Sequence, residues 1–156
     1  MLAVAVAALL VVAAPALADH LTGLRIQNGT NGDDVLIGTN RGDGLFGKGG
    51  DDVIQGRGAG DFLDGDSNDR NTVRGSGQDT IQGGNGPDDI YGGPDEDTLS
   101  GDSGDDEISD GRYNGTEPTN GDGAVDTIKC GDGRDTVAAE RRDIVANDCE
   151  RVTYRN

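Results

Sequence analysis

Large side chains are scarce in this sequence. It has no tryptophan, one methionine and one histidine, and aromatic residues make up 3% of its 156 residues. So few bulky groups cannot fill the core of a conventional globular domain. The lone His20 argues against a Ser-His-Asp or Cys-His catalytic site, and neither an HExxH nor a GxSxG motif occurs. The composition therefore disfavours the common hydrolase classes.

Positive charge is also scarce. Thirteen Lys and Arg residues face 30 Asp and Glu residues, giving a formal net charge of -17. Such a chain repels nucleic acids and anionic membranes, so no nucleic-acid partner is expected and cations are its natural partners. Its 28 glycines would, with this acidity, ordinarily indicate disorder, because little apolar surface is available to offset conformational entropy.

Long apolar runs are confined to the first eighteen residues. Residues 1–18 carry no charged side chain and end in Ala16-Leu17-Ala18. Their length and the small residues at the end predict a secretory signal peptide cut after Ala18, although a positively charged start is missing. The alternative is an uncleaved N-terminal anchor. Cleavage would leave a secreted, extracellular chain without stable membrane insertion, and the even cysteine count fits that compartment.

A nine-residue period organises the rest of the chain from Gly29 onward. The segments are GTNGDDVLI, GTNRGDGLF, GKGGDDVIQ, GRGAGDFLD, GDSNDRNTVR, GSGQDTIQ, GGNGPDDIY, GGPDEDTLS and GDSGDDEIS. The first position is always Gly, and the sixth is Asp in the seven nine-residue segments. Asn71 and Asp79 take its place in the ten- and eight-residue segments, and an aliphatic residue follows two positions later in all nine. The ten-residue and eight-residue segments are adjacent, so the later register is restored. A regular period of this length predicts a solenoid of stacked repeats.

The period resembles the RTX (hemolysin-type) calcium-binding nonapeptide, G-G-x-G-x-D-x-U-x, over residues 29–109. The resemblance implies an all-β fold: a parallel β-roll, a right-handed β-solenoid with two nonapeptides per coil, and several bound Ca2+ ions. The second glycine of the motif is present only as Gly84 and Gly93. Six residues of each repeat form a tight turn, and the last three form a short strand with one inward side chain.

Repeats eighteen residues apart then lie above one another, about 4.8 Å apart, which brings their aspartates together. Paired carboxylates with turn carbonyls supply the hard oxygen ligands that Ca2+ prefers. The predicted metal ligands are Asp34, Asp43, Asp52, Asp61, Asp79, Asp88, Asp97 and Asp106. The predicted pairs are Asp34 with Asp52, Asp43 with Asp61, Asp61 with Asp79, Asp79 with Asp97 and Asp88 with Asp106. Asn71 should form weaker sites, and the fifth-position aspartates should face solvent or offer a carbonyl.

Stacked aspartates repel one another without metal, so we expect a largely unfolded metal-free state and folding coupled to calcium binding. The alternative for the sixth-position aspartates is that they are solvated turn residues. The aliphatic ladder from Leu36 to Ile108 is predicted to be the core.

The nine-residue period is interrupted at residues 110–120 and resumes with the segments GDGAVDTIK and CGDGRDTVA. We interpret residues 110–120 as an irregular insertion, a degenerate half-coil with a bulging loop, and Asp126 and Asp135 as secondary calcium candidates. The tail resembles the end of small secreted actinobacterial proteins with such repeats, which implies a Cys130–Cys149 disulfide. Zinc binding by the two thiolates would lack further Cys or His partners. Ile144, Val145 and Val152 are expected to cap the open end of the roll.

The sequence thus predicts a signal peptide (1–18), an N-terminal lead-in (19–28), the roll (29–109), the insertion (110–120) and a cap with degenerate repeats (121–156). It predicts a non-catalytic, secreted calcium-binding protein. A calcium-stiffened cell-surface or matrix adhesion module and a calcium-dependent secreted hydrolase are the alternatives. No protein or glycan partner follows from the residues.

Overall fold

The computed structural model describes residues 23–66, 76–111 and 123–155, and every regular element in them is a β-strand. The predicted signal peptide and Asn71 lie outside these residues. The strands are β1 (Arg25–Asn28), β2 (Val35–Ile37), β3 (Asp43–Phe46), β4 (Val53–Gly58), β5 (Phe62–Asp64), β6 (Thr80–Asn85), β7 (Asp89–Tyr91), β8 (Thr98–Ser103), β9 (Glu107–Ser109), β10 (Thr127–Asp132), β11 (Thr136–Glu140), β12 (Ile144–Val145) and β13 (Arg151–Arg155). In the described part of the chain, no helix is long and apolar enough to cross a membrane.

The strands alternate between two parallel sheets. The seven-stranded sheet has the order β1-β3-β5-β7-β9-β11-β13, and the six-stranded sheet has the order β12-β10-β8-β6-β4-β2. Each winding therefore contributes one strand to each sheet, as two nonapeptides per coil require. The register in β2 and β4 pairs Val35 with Val53, so these windings are eighteen residues apart. The predicted parallel β-roll is confirmed.

One inward side chain per strand forms the core between the sheets. Because side chains alternate along a strand, only the central residue of a three-residue strand points inward. Leu45, Ile54, Leu63, Ile81, Ile90, Leu99, Ile108, Ile128 and Val137 are all 0% exposed. Within the described residues the predicted aliphatic ladder is the core, and it continues through the last two repeats, whereas Val73 of that prediction lies outside the described residues.

A second apolar cluster lies on the outer face of the seven-stranded sheet. Phe46, Phe62 and Tyr91 are buried there, with Leu24 packed against them. The ring centroids of Phe46 and Phe62 are 5.6 Å apart, and those of Phe62 and Tyr91 are 5.4 Å apart. The sequence interpretation missed this cluster because the three aromatics occupy outward positions in their repeats.

The register between β4 and β6 corrects one sequence interpretation. Val53 pairs with Thr80, and the Asp52 amide bonds to Asp79 across 27 residues instead of 18. Strands β4 and β6 are therefore direct neighbours, and the ten- and eight-residue segments together supply only one repeat to the roll. Removing residues 67–75 from the sequence would leave GDSGQDTIQ, a regular nonapeptide.

A second correction concerns residues 110–120. A half-coil here would have put β10 in the same sheet as β9, but β10 pairs with β8, and β11 pairs with β9. The extra residues therefore add length to the connection between β9 and β10 and do not change the order of the strands. Residues 112–122 are outside the described part of the chain.

The C-terminal end of the roll is closed by a shortened last winding. Cys130 and Cys149 form a disulfide, as the resemblance implied. Val145 and Val152 pack against the core, as expected, whereas Ile144 is 61% exposed. The reason is strand alternation: in the two-residue strand β12, only one of Ile144 and Val145 can face inward.

Candidate metal centres in the turns

The sixth-position aspartates form two rows, one along each edge where the chain passes between the sheets. The first row contains Asp34, Asp52, Asp79, Asp97 and Asp126, and the second contains Asp43, Asp61, Asp88, Asp106 and Asp135. Within each row, the backbone amide of one aspartate donates to Oδ1 of the aspartate one winding later, at 2.7–2.9 Å. Asp143 and Glu150 accept the same bond at the C-terminal ends of the rows.

Four of the five predicted aspartate pairs are adjacent in this ladder. They are Asp34 with Asp52, Asp43 with Asp61, Asp79 with Asp97 and Asp88 with Asp106. The prediction for Asp61 with Asp79 is wrong, because the nine extra residues after Asp66 move Asp79 into the other row. Asp79 follows Asp52, and Asp88 follows Asp61.

The ladder uses one oxygen of each carboxylate and leaves the other facing its own turn. Asp52, Asp61, Asp79, Asp88, Asp97, Asp106 and the secondary candidate Asp135 are 0–3% exposed, and their Oδ2 atoms accept no hydrogen bond from any described residue. A buried oxygen without a donor is costly, and a buried carboxylate is costlier. These atoms therefore indicate a missing cationic partner.

The glycine at the first position of each repeat makes room for this oxygen. A Cβ at Gly47 would collide with Oδ2 of Asp52 and with the carbonyl oxygen of Gly65, one winding further on. The carboxylate and a turn carbonyl thus converge on the same glycine, which explains why the first position admits no other residue here.

Burial in two rows of like charge shifts the acid-base equilibria of these carboxyls. Burial raises the pKa of Asp97 to about 9 and that of Asp88 to about 8, and the neighbouring carboxylates add to the rise. Burial likewise raises the pKa of Asp79 to about 7, and raises the pKa of Asp52, Asp61 and Asp106 to about 6. The amide bond to Oδ1 opposes these shifts but does not cancel them.

Most turns hold their second residue in a left-handed conformation. Gly84 and Gly93 have φ of 115° and 121°, and Lys48, Arg57 and Asp102 adopt φ of 90°, 83° and 71° at the equivalent position. A non-glycine residue carries a steric penalty there. The substitutions at Lys48, Arg57 and Asp102 are therefore accommodated by backbone strain, without changing the turn.

Asp34 and Asp43 stand in the same rows, yet their turns differ. Oδ2 of each accepts hydrogen bonds from the amide and the hydroxyl of a threonine in its own turn. The fifth-position residues Asp33, Asp51 and Asp105 are exposed, as expected, and Asp33 Oδ1 accepts the Asp51 amide.

The turn before β10 carries an additional carboxylate. Asp110 occupies the place of a first-position glycine, and its carboxylate lies within 4.8 Å of those of Asp126 and Asp143. Asp110 is buried and forms an ion pair with Arg155. The sequence signal for this group was the acidic residue in a glycine position.

The comparisons with known proteins agree with this geometry. A family model described as the RTX calcium-binding nonapeptide repeat (four copies) matches residues 28–63, 37–70 and 74–108, which together cover 78 of the 156 residues. No curated protein and no solved structure matches the chain.

Proposed function

Because this chain belongs to the RTX calcium-binding nonapeptide repeat family, we propose that it is a secreted protein whose roll folds when Ca2+ fills its turns. The repeats bind calcium, and the many buried aspartates are consistent with several ions. The observation that carries the proposal is the set of buried, undonated Oδ2 atoms, one in each open turn.

The residues fit a calcium ion by their chemistry. The donors around each open turn are carboxylate and carbonyl oxygens, which are the ligands that Ca2+ prefers. The residues proposed to hold the ions are Asp52, Asp61, Asp79, Asp88, Asp97 and Asp106. The ion would supply positive charge in each turn. Cys130 and Cys149 are bonded to each other, so their sulfurs do not offer an alternative thiolate site.

Electrostatics supports the coupling between binding and folding. Without a cation, the folded chain must either bury charged carboxylates or hold them protonated above their ordinary pKa, and the unfolded chain does neither. Binding free energy released in the turns therefore becomes folding free energy. We expect the metal-free chain to be largely unfolded at neutral pH.

Secretion is supported by the disulfide and by the affinity expected of such sites. Disulfides persist in oxidising compartments outside the cytosol. Extracellular calcium modules work with dissociation constants of about 0.1 to 1 mM, which external calcium saturates. Calcium itself is the partner we propose, and the net charge of -17 disfavours nucleic acid.

Far-UV circular dichroism tests the coupling. We expect a spectrum of a largely disordered chain in EDTA and a β spectrum after CaCl2 is added, because the open turns are destabilised until the charge of their buried carboxylates is neutralised. Isothermal titration with CaCl2 gives the stoichiometry, and MgCl2 serves as the matched control, since Mg2+ demands a stricter octahedral geometry.

The expected result is several calcium ions and little response to magnesium. A β spectrum that is identical in EDTA and in calcium would contradict calcium-coupled folding. If a metal-free sample with the Cys130–Cys149 disulfide formed gives no heat of binding when CaCl2 is added, calcium binding itself is contradicted.

A further inference from the structure

We propose that the first two turns of the roll, residues 29–34 and 38–43, bind no calcium because Thr30 and Thr39 close them from within. The inference rests on the proposed calcium binding of the other turns. The uniform nonapeptide pattern does not distinguish the first winding from the others. We assign to this winding the role of an N-terminal end of the roll that is held by side-chain hydrogen bonds.

The turn of residues 29–34 is closed by one threonine. The Thr30 amide donates to Oδ2 of Asp34 at 2.6 Å, and the Thr30 hydroxyl donates to the same oxygen at 2.8 Å. The Thr30 hydroxyl oxygen in turn accepts the Gly32 amide at 3.3 Å. The oxygen that faces the turn therefore has two donors.

The turn of residues 38–43 repeats this arrangement atom for atom. The Thr39 amide and hydroxyl donate to Oδ2 of Asp43 at 2.6 and 2.8 Å. The Arg41 amide donates to the Thr39 hydroxyl oxygen at 3.3 Å. The same solution in two successive turns indicates that the threonine, and not a local accident of packing, determines it.

The open turns of Asp52, Asp61, Asp88, Asp97 and Asp106 differ at this same residue, whose φ is positive there, whereas Asp66 of the Asp79 turn has no positive φ. Lys48 stands where Thr30 and Thr39 do, but its φ is 90°, and its amide donates away from the carboxylate, to the Gly65 carbonyl of the next winding at 2.7 Å. Oδ2 of Asp52 is left without a donor among the described residues. Neither threonine is among the residues with positive φ.

Two donors on one oxygen are incompatible with a cation at that oxygen. An N–H and an O–H each present a positive hydrogen to the carboxylate, so they occupy its lone pairs and repel a metal ion. Calcium would have to break both bonds and turn the threonine backbone. Oδ1 of Asp43 remains buried and undonated, because β1 precedes it in place of an aspartate turn.

The position of the closed turns gives them a role. Strands β1 and β2 end the two sheets, so the first winding has no full winding before it in the described chain. Because these hydrogen bonds do not depend on calcium, they would keep this end of the roll folded when calcium ions dissociate from the neighbouring turns. The other end is held by the Cys130–Cys149 disulfide, so both ends of the roll would be secured without metal.

Two matched double variants test the inference by calcium stoichiometry on the full chain. Asp34→Asn/Asp43→Asn changes the closed turns, and Asp52→Asn/Asp61→Asn makes the same change in the next two turns. We expect the first variant to keep the wild-type number of calcium ions and the second to lose ions. An equal loss in both variants would overturn the inference, whereas a wild-type chain without bound calcium would instead overturn the proposed function.

A gain-of-binding variant tests the threonines directly. Thr30→Gly/Thr39→Gly removes the hydroxyls and permits positive φ, so we expect up to two additional calcium ions. Thr30→Ser/Thr39→Ser keeps the hydroxyls and should keep the wild-type count. If the glycine variant shows the wild-type β spectrum in calcium but gains no ion, the threonines do not close the turns.

Discussion

Replacing Asp97 by asparagine should stabilise the metal-free roll. The asparagine side chain keeps an Oδ1 that can accept the Asp79 amide, and it removes the charge. Burial raises the pKa of Asp97 from 3.8 to about 9. At pH 7 the folded chain therefore holds this carboxyl protonated, although pH 7 lies roughly three units above its pKa in the unfolded chain. At about 1.4 kcal/mol per unit, this costs the wild-type fold up to about 4 kcal/mol, and the substitution avoids that cost.

Asp97→Asn should also reduce the stability that the roll gains when calcium binds. A site filled at a calcium concentration of about 100 times its Kd adds about 2.7 kcal/mol of stability, and the loss of a charged ligand removes this increment. Asp97→Asn should therefore retain more β structure than wild type in EDTA at pH 7, and gain less stability when calcium is added. Both quantities come from urea titrations followed by circular dichroism.

Asp105→Asn is the matched control. Asp105 is exposed at a fifth position, and its Oδ1 accepts the Arg134 amide, which an asparagine oxygen can also do. We expect no change in either quantity. The reasoning is refuted if Asp97→Asn is less stable than wild type in EDTA, or if its calcium increment equals that of wild type.

Four further perturbations have defined outcomes. In EDTA, the stabilising effect of neutral carboxyls is fully present below pH of about 3.8 and is lost as pH rises through the folded pKa values of about 6 to 9, so the wild-type β signal should be larger at pH of about 4.5 than at pH of about 9. Deleting residues 67–75 should leave the β spectrum in calcium intact, because a regular nonapeptide remains, whereas deleting residues 83–86, which breaks the nine-residue period within the roll, should disrupt it. Cys130→Ser/Cys149→Ser should lower the unfolding free energy in calcium by about 3 kcal/mol, and an unchanged urea midpoint would contradict this. Ile81→Ala should cost about 2 to 5 kcal/mol, and the control Val53→Ala, on the outer face, well under that.

Much of this architecture could be predicted because the nine-residue period encodes strand, core and turn together. The Gly, Asp and aliphatic positions determined which residues point inward, from Leu36 through Val137. The period failed around Asn71 because the added segment is as long as the period itself. Asn71-Thr72-Val73 also imitates the Asp-x-aliphatic spacing, so a one-dimensional repeat could not separate a winding from an insertion. Only the hydrogen bond between the Asp52 amide and Asp79 in the structure separates the winding from the insertion.

The closed turns were beyond prediction for a different reason. Thr30 and Lys48 both depart from the glycine of the motif, and the sequence pattern does not distinguish the two departures. In the backbone, a positive φ turns the Lys48 amide toward the next winding, whereas Thr30 has no positive φ and its amide faces the carboxylate. The Thr30 hydroxyl adds a second donor to the same oxygen. Which residue replaces glycine therefore matters more than the fact of replacement.

The two oxygens of each ladder aspartate have different roles in the roll. Oδ1 accepts the amide of the previous winding, and this bond sets the spacing and register of successive turns in the folded roll. Oδ2 faces the turn and has no donor among the described residues in the seven open turns, that of Asp135 included. A carboxylate whose Oδ1 is held by this hydrogen bond cannot turn its Oδ2 toward solvent. An unneutralised charge therefore lowers the stability of the folded roll. In the proposed calcium-bound roll, the Oδ1 ladder would connect calcium binding in one turn to the stability of the winding whose amide it accepts.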